Sequence, residues 1–115
     1  MTPSQLRTYC LAKPGAWQDS PWGEDHDVVK VGPKIFAFLG EGPTVGVKCA
    51  KSREAADEWL ARYPEDATVM PYIGRSGWNS LRVAGAIPAD EIREAIDTSY
   101  DFVVSTLPKK DRPQS

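Results

Sequence analysis

Residues 28–50, VVKVGPKIFAFLGEGPTVGVKCA, decide the fold. They hold three short runs, 28–31, 34–39 and 44–50, rich in Val, Ile and Phe and divided by Gly32-Pro33 and by Gly40-Glu41-Gly42-Pro43. β-Branched and aromatic side chains suit a pleated, half-buried surface, and glycine and proline set the backbone angles of tight turns. The stretch therefore reads as consecutive hairpins of an antiparallel meander.

Helical periods flank this meander. Thr2-Pro3-Ser4-Gln5 has the form of a capping box, with Pro3 at the first helical position and Leu6, Tyr9 and Cys10 following at i, i+3, i+4. The pattern predicts a helix over 3–12 that Lys13-Pro14-Gly15 stops, then an extended piece over 17–22. Ser52 caps a second helix that ends before Pro64 and carries Ala56, Trp59, Leu60 and Tyr63 on one stripe. Val69-Met70 reads as a short extended piece and 78–84 as the last strand. Pro88, Asp90 and Glu91 open a third helix with Ile92, Ala95 or Ile96, Ser99, Val103 and Leu107 along one face; Pro108 closes it. The expected architecture is an α+β sandwich, an antiparallel sheet with helices packed on one face. One domain over 1–108 is expected, followed by a basic, mobile tail over 109–115.

Composition narrows the class. A chain of 115 residues, 41% hydrophobic and 26% charged, has ordinary globular usage and enough length for one core. No stretch approaches the ~18 apolar residues of a membrane span, and no cationic, apolar leader opens the chain, so no membrane association is expected and a cytoplasmic protein is the simplest reading. The net charge of −2 gives no bulk attraction to polyanions, so any nucleic-acid contact must come from a local patch. Cys10 and Cys49 have no C-x-x-C spacing and read as small buried apolar residues.

Alternation sorts the strands into two faces. Val29, Val31, Ile35, Ala37, Leu39, Val45, Val47, Cys49, Leu81 and Val83 form an aliphatic set suited to packed helices. The complementary set holds Val28, Lys30, Lys34, Phe36, Phe38, Thr44, Gly46, Lys48, Trp78, Ser80 and Arg82, which mixes cations with rings. Cations meet phosphates and ring faces meet bases, so this face is the expected interface. A second small core, with Phe36, Phe38 and Trp78 closed over by Trp59 or by residues 17–22, is the alternative.

Catalytic constellations are scarce. The sole histidine lies in Trp22-Gly23-Glu24-Asp25-His26-Asp27, where Glu24, His26 and Asp27 could group around a metal but match no recognised spacing; a solvated acidic turn is the expectation. No glycine-rich phosphate cradle follows a strand, and Ser76, Ser80 and Ser99 have no identifiable base. Neither an enzyme nor a cofactor is indicated.

The order YCLAKPGAWQDSPWG, VVKVGPKIFAFLG, VGVKC and WNSLRVAGAIPADEIREAIDTSYDFVVSTLPKK resembles the MmcQ/YjbR family of small bacterial proteins, over nearly the whole chain. The resemblance implies a fold like that of bacterial frataxin and a proposed role in DNA binding through wing-like hairpins. It marks Trp22, Gly23, Lys30, Lys34, Lys48 and Trp78-Asn79 as family-type positions. Family members usually have a bulkier, more basic stretch before Trp-Asn than Gly74-Arg75-Ser76-Gly77. The first helix has no carboxylate, which argues against a frataxin-like iron ridge. The expected nucleic-acid contacts are Lys30, Lys34, Phe36, Lys48, Arg75, Trp78, Asn79 and Arg82. Asn79 stands at the strand start, where its amide either fixes the turn or meets a base edge. A protein-interaction or small-anion module using the same groove is the second reading.

Overall fold

The computed structural model describes residues 1–23, 26–39 and 43–113. Its elements run α1 (Pro3–Leu11), β1 (Ala16–Asp19), β2 (Val28–Val31), β3 (Lys34–Phe38), β4 (Thr44–Lys48), α2 (Arg53–Arg62), β5 (Ala67–Val69), β6 (Trp78–Arg82) and α3 (Ala89–Ser105). One six-stranded sheet, in the order β1-β2-β3-β4-β6-β5, is antiparallel at every pairing. This is the α+β architecture expected from the meander. The expected turn at Gly40-Glu41-Gly42 lies outside the described residues.

The starts of α1 and α2 use the caps read in the sequence. The Gln5 backbone N–H donates to Thr2 Oγ1 at 3.1 Å while the Thr2 N–H donates to Gln5 Oε1 at 2.9 Å. Ser52 Oγ accepts from the Ala55 N–H at 3.1 Å. Each cap satisfies donors that a helix leaves unpaired and is worth about 1 kcal/mol. The core lies between sheet and helices: Val29, Val31, Ala37, Val45, Val47 and Leu81 from the strands meet Ile92, Ala95, Ile96 and Val103 of α3, Leu6 and Cys10 of α1 and Ala56 of α2. Each fully buried aliphatic chain contributes about 1.5–3 kcal/mol, so this face carries the fold. Among the described residues, no helix is long and apolar enough to cross a membrane.

One irregularity overturns strict alternation. Val29 stands opposite Ala37, but Lys30 stands opposite Ile35, so β3 carries one more residue than β2 across that step. A bulge of this kind turns the side chains beyond it to the other face. Phe36, expected on the open face, is instead fully buried in the helix-side core, its ring edge-on to Tyr100 with centroids 5.2 Å apart. Lys34, expected there too, pairs with Val31 and sends its ammonium to Thr106 Oγ1, 2.9 Å away beyond the end of α3.

The chain beyond Pro108 is fastened up to Pro113. Lys109–Asp111 form a 3-10 turn, and Arg112 donates to the carbonyls of Leu107 and Ser105. Pro113 sits so close to Gly15 that a Cβ there would lie 2.9 Å from its Cγ.

Candidate functional site

β4 and β6 set the frame of the sheet face that α1, α2 and α3 leave open. Their cross-strand pairs are Thr44↔Arg82, Gly46↔Ser80 and Lys48↔Trp78, and successive pairs on one face stand two residues, about 6.8 Å, apart. Phe38 of β3 is opposite Gly46 and meets Trp78 edge-to-face at 5.7 Å. Above Gly46 and Ser80 runs a groove of about 350 Å³ whose walls include Trp22, Val28, Phe38, Met70 and Pro71. Gly46 is required by this packing, since a Cβ would lie 2.6 Å from Met70 Sδ. Trp17, Trp22 and Tyr72 are exposed, and Phe38 and Trp78 half-buried. The face is thus neither a bare platform nor a closed second core.

Beside this groove the sheet splits. Among the described residues β3 and β4 pair only at Phe38↔Gly46. Ser99 of α3 fills the place of the missing ladder: its hydroxyl accepts from the Lys48 N–H at 2.9 Å and donates to the Phe36 carbonyl at 2.6 Å. The parting leaves a cleft of about 270 Å³ lined by Lys34, Ile35, Lys48, Trp78 and Phe102 among others. The Lys48 ammonium donates to the Ser76 carbonyl and lies 5.8 Å from the centre of the Phe102 ring.

Gly74–Ser76 is a 3-10 turn that presents Arg75 to solvent. Arg53 of α2 holds the turn, donating to the carbonyls of Gly74 at 2.9 Å and Trp78 at 3.2 Å and to Asp57 at 2.7 Å. Gly77 ends it at φ 97°, with its Cα so near Ala50 that a Cβ would stand 2.1 Å from the Ala50 carbonyl oxygen. Only glycine fits there. Asn79 does not reach a ligand: it is fully buried on the helix side, its Nδ2 donates to the Ala56 carbonyl at 3.0 Å, and its Oδ1 accepts from Arg53. Of its two expected roles it takes the structural one, because its neighbours Trp78 and Ser80 occupy the other face.

Charge on the open face and in the adjoining cleft is unevenly committed. Lys30 pairs with Asp19 at 2.8 Å and lies 5.2 Å from the Trp17 ring centre; the hydrogen bond from Lys30 holds the Asp19 carboxyl below its ordinary range. Arg82 stands 3.9 Å from Asp66. Asp27, beside the groove, accepts from Ser20 at 2.6 Å and Arg7 at 2.9 Å, and these bonds lower its pKa. Lys34, Lys48 and Arg75 have no carboxylate partner among the described residues. His26 is exposed and Glu24 lies outside the described residues; no metal-holding cluster occurs among those described. The two thiols are free and buried, and burial pushes Cys10 up to about 12 and Cys49 to about 11.

Sequence patterning missed Tyr72, Phe102 and Ser99's bridging role. Tyr72 is fully exposed at φ 67°, the centre of a γ-turn in which the Ile73 N–H donates to the Pro71 carbonyl at 2.7 Å. The positive-φ γ-turn is rare and strained, and no sequence signal announces a tyrosine in it. Phe102, three positions after Ser99 on the same helix face, was within reach of helical periodicity.

The YjbR family model matches residues 11–102. The uncharacterized protein YjbR of Escherichia coli strain K12 is 29% identical over 112 residues, which span 97% of this chain and 95% of that protein. Its counterpart in Escherichia coli O157:H7 matches to the same extent. The crystal structure of Deinococcus radiodurans protein DR2400, a DUF419 domain, superposes with a TM-score of 0.82 at 21% identity, over 96% of this chain and 84% of that one.

Proposed function

The chain belongs to the YjbR family, and from that premise we propose that it is a non-enzymatic, cytoplasmic nucleic-acid-binding protein whose contact surface joins the open sheet face around Trp78 to the adjoining cleft between β3 and β4, where Lys34 lies. One observation carries the reading: Lys34, Lys48 and Arg75 each lack a carboxylate partner among the described residues, and they stand in the cleft beside Trp78 or on the exposed turn that leads into it. Lys34 and Lys48 share the cleft with Trp78, and the Lys48 ammonium is bonded inside the turn that presents Arg75. Phosphates need such uncommitted cations, and bases need rings. Phe36 and Asn79 drop out of the surface because they are buried. Lys30 and Arg82 stay on the face as weaker contributors, their charge shared with Asp19 and Asp66.

The arrangement favours single strands. A duplex reader lays a helix or β-ribbon into a groove, whereas here a sheet face offers rings and a few cations. With Lys34, Lys48 and Arg75 engaged, the log–log salt slope should be about −2 on a single strand, at about 0.7 per phosphate. An anisotropy titration with labelled single-stranded and duplex oligonucleotides, at low and physiological salt, tests the reading. Salt-sensitive saturation lost in the combined Lys34→Glu, Lys48→Glu and Arg75→Glu variant supports it. Affinity unchanged by those reversals, or no binding at low salt, refutes it and leaves the protein-interaction or small-anion module, which the size of the cleft also suits.

A further inference from the structure

Resting on that reading, the geometry points to a second element of recognition: the groove over Gly46 and Ser80 takes one unpaired base, while the adjoining phosphate lies at Lys48 and Arg75. The groove and the cationic cleft share a wall. Phe38 lines one, Trp78 lines the other, and their rings are in edge-to-face contact at 5.7 Å. Gly46, beneath the Met70 thioether, and Ser80 line the groove and are the cross-strand pair next to Lys48 and Trp78, about 6.8 Å along the same face. A ligand lying along β4 and β6 therefore meets a partly polar, ring-walled cavity and then, one cross-strand pair further along, Lys48, whose ammonium lies at the Ser76 carbonyl.

The interior chemistry matches a heteroaromatic ring. Trp22, Phe38, Met70 and Pro71 give apolar walls, and the volume of about 350 Å³ is within the range of small-ligand pockets. The Ser80 hydroxyl makes no hydrogen bond among the described residues, so it is available to an edge nitrogen or carbonyl of a base, as donor or acceptor. Asp27, the one carboxylate among the described residues lining the groove, is already engaged by Ser20 and Arg7 and so repels an anionic strand less than a free carboxylate. At the rim, Pro71 is followed by Tyr72, held fully exposed in a strained turn. Strain kept without any packing return is the signature of a presented side chain, here a ring on which the neighbouring base stacks.

The test pairs protein variants with a strand lacking bases. A labelled single strand of about ten nucleotides and the same strand built of abasic units are titrated against the wild-type chain, Trp22→Ala and Tyr72→Gly. Both side chains are exposed, and glycine relieves the positive φ, so neither variant should fail to fold. The expected result is at least tenfold weaker binding of the abasic strand, since stacking is worth one to two orders of magnitude per base. Each variant should weaken binding of the normal strand by about the same factor and leave the abasic strand unaffected, the non-additivity expected of a direct contact. Equal binding of both strands, unchanged by either variant, overturns base insertion while leaving phosphate binding at Lys48 and Arg75 intact. No binding of either strand at low salt overturns both together.

Discussion

Replacing Asn79 by alanine separates a structural amide from a ligand-reading one. The side chain is fully buried and makes two hydrogen bonds, one from Arg53 to Oδ1 and one from Nδ2 to the Ala56 carbonyl. A hydrogen bond to a charged group contributes about 1.5–3 kcal/mol and a neutral one about 1 kcal/mol. Arg53 keeps its bonds to Gly74, Trp78 and Asp57, and the Ala56 carbonyl keeps its helical partner, so little is left orphaned. The expected loss is therefore about 2.5–4 kcal/mol, a large part of the 5–15 kcal/mol that holds a typical domain, and roughly 10–16 °C in Tm. Urea unfolding followed by tryptophan fluorescence measures it, with an unchanged m-value marking the loss as native-state stability. Affinity for a single strand, measured well below the lowered midpoint, should not change. A variant as stable as wild type to within about 0.5 kcal/mol but weaker in binding would show that Asn79 faces ligand and that its placement under α2 is wrong.

Ser99→Ala removes the hydroxyl that bridges the Lys48 N–H and the Phe36 carbonyl; with two buried backbone groups unpaired the cost should be about 2–5 kcal/mol, and hydrogen exchange at the Lys48 amide should accelerate far more than at Val45. A cost under 1 kcal/mol would mean that β3 and β4 close on each other without the bridge. Trp78→Ala should cost about 2 kcal/mol, less than the 3–5 kcal/mol of a fully buried ring, because Trp78 is half-buried and lines the cleft; thermal melts decide between the two values. The thiols predict an alkaline loss of stability. Folding raises Cys10 to about 12 and Cys49 to about 11 from 9.0, so the folded chain holds protons that the unfolded chain releases above pH ~9. Stability is then full below pH ~9 and falls as pH rises toward the folded values, by up to about 1.4 kcal/mol per pH unit for each thiol. A Cys10→Ala, Cys49→Ala variant with an equally steep decline between pH 9 and 11 would contradict this.

The sequence alone determined the element types, because each rests on local chemistry. Thr2 and Ser52 cap helices wherever the chain goes next, Gly32-Pro33 turns the chain between two β-rich runs, and the stripe from Ile92 to Val103 demands an apolar partner. The cations were legible as a set, since Lys34, Lys48 and Arg75 stand on or beside strands with few acids near them in sequence. Only the tertiary structure decided which face each side chain takes and which charges stay free. Phe36 and Lys34 changed sides because one extra residue in β3 shifts the register against β2, and a register belongs to two strands at once. Lys30 lost its free charge to Asp19 across the β1–β2 pair, a partner eleven positions away that no local pattern names. Asn79 and Ser99 became internal fasteners because helices distant in sequence brought Arg53, Ala56 and the parted strands to them. Backbone propensity is a property of neighbours along the chain, whereas exposure and ion pairing are properties of neighbours in space.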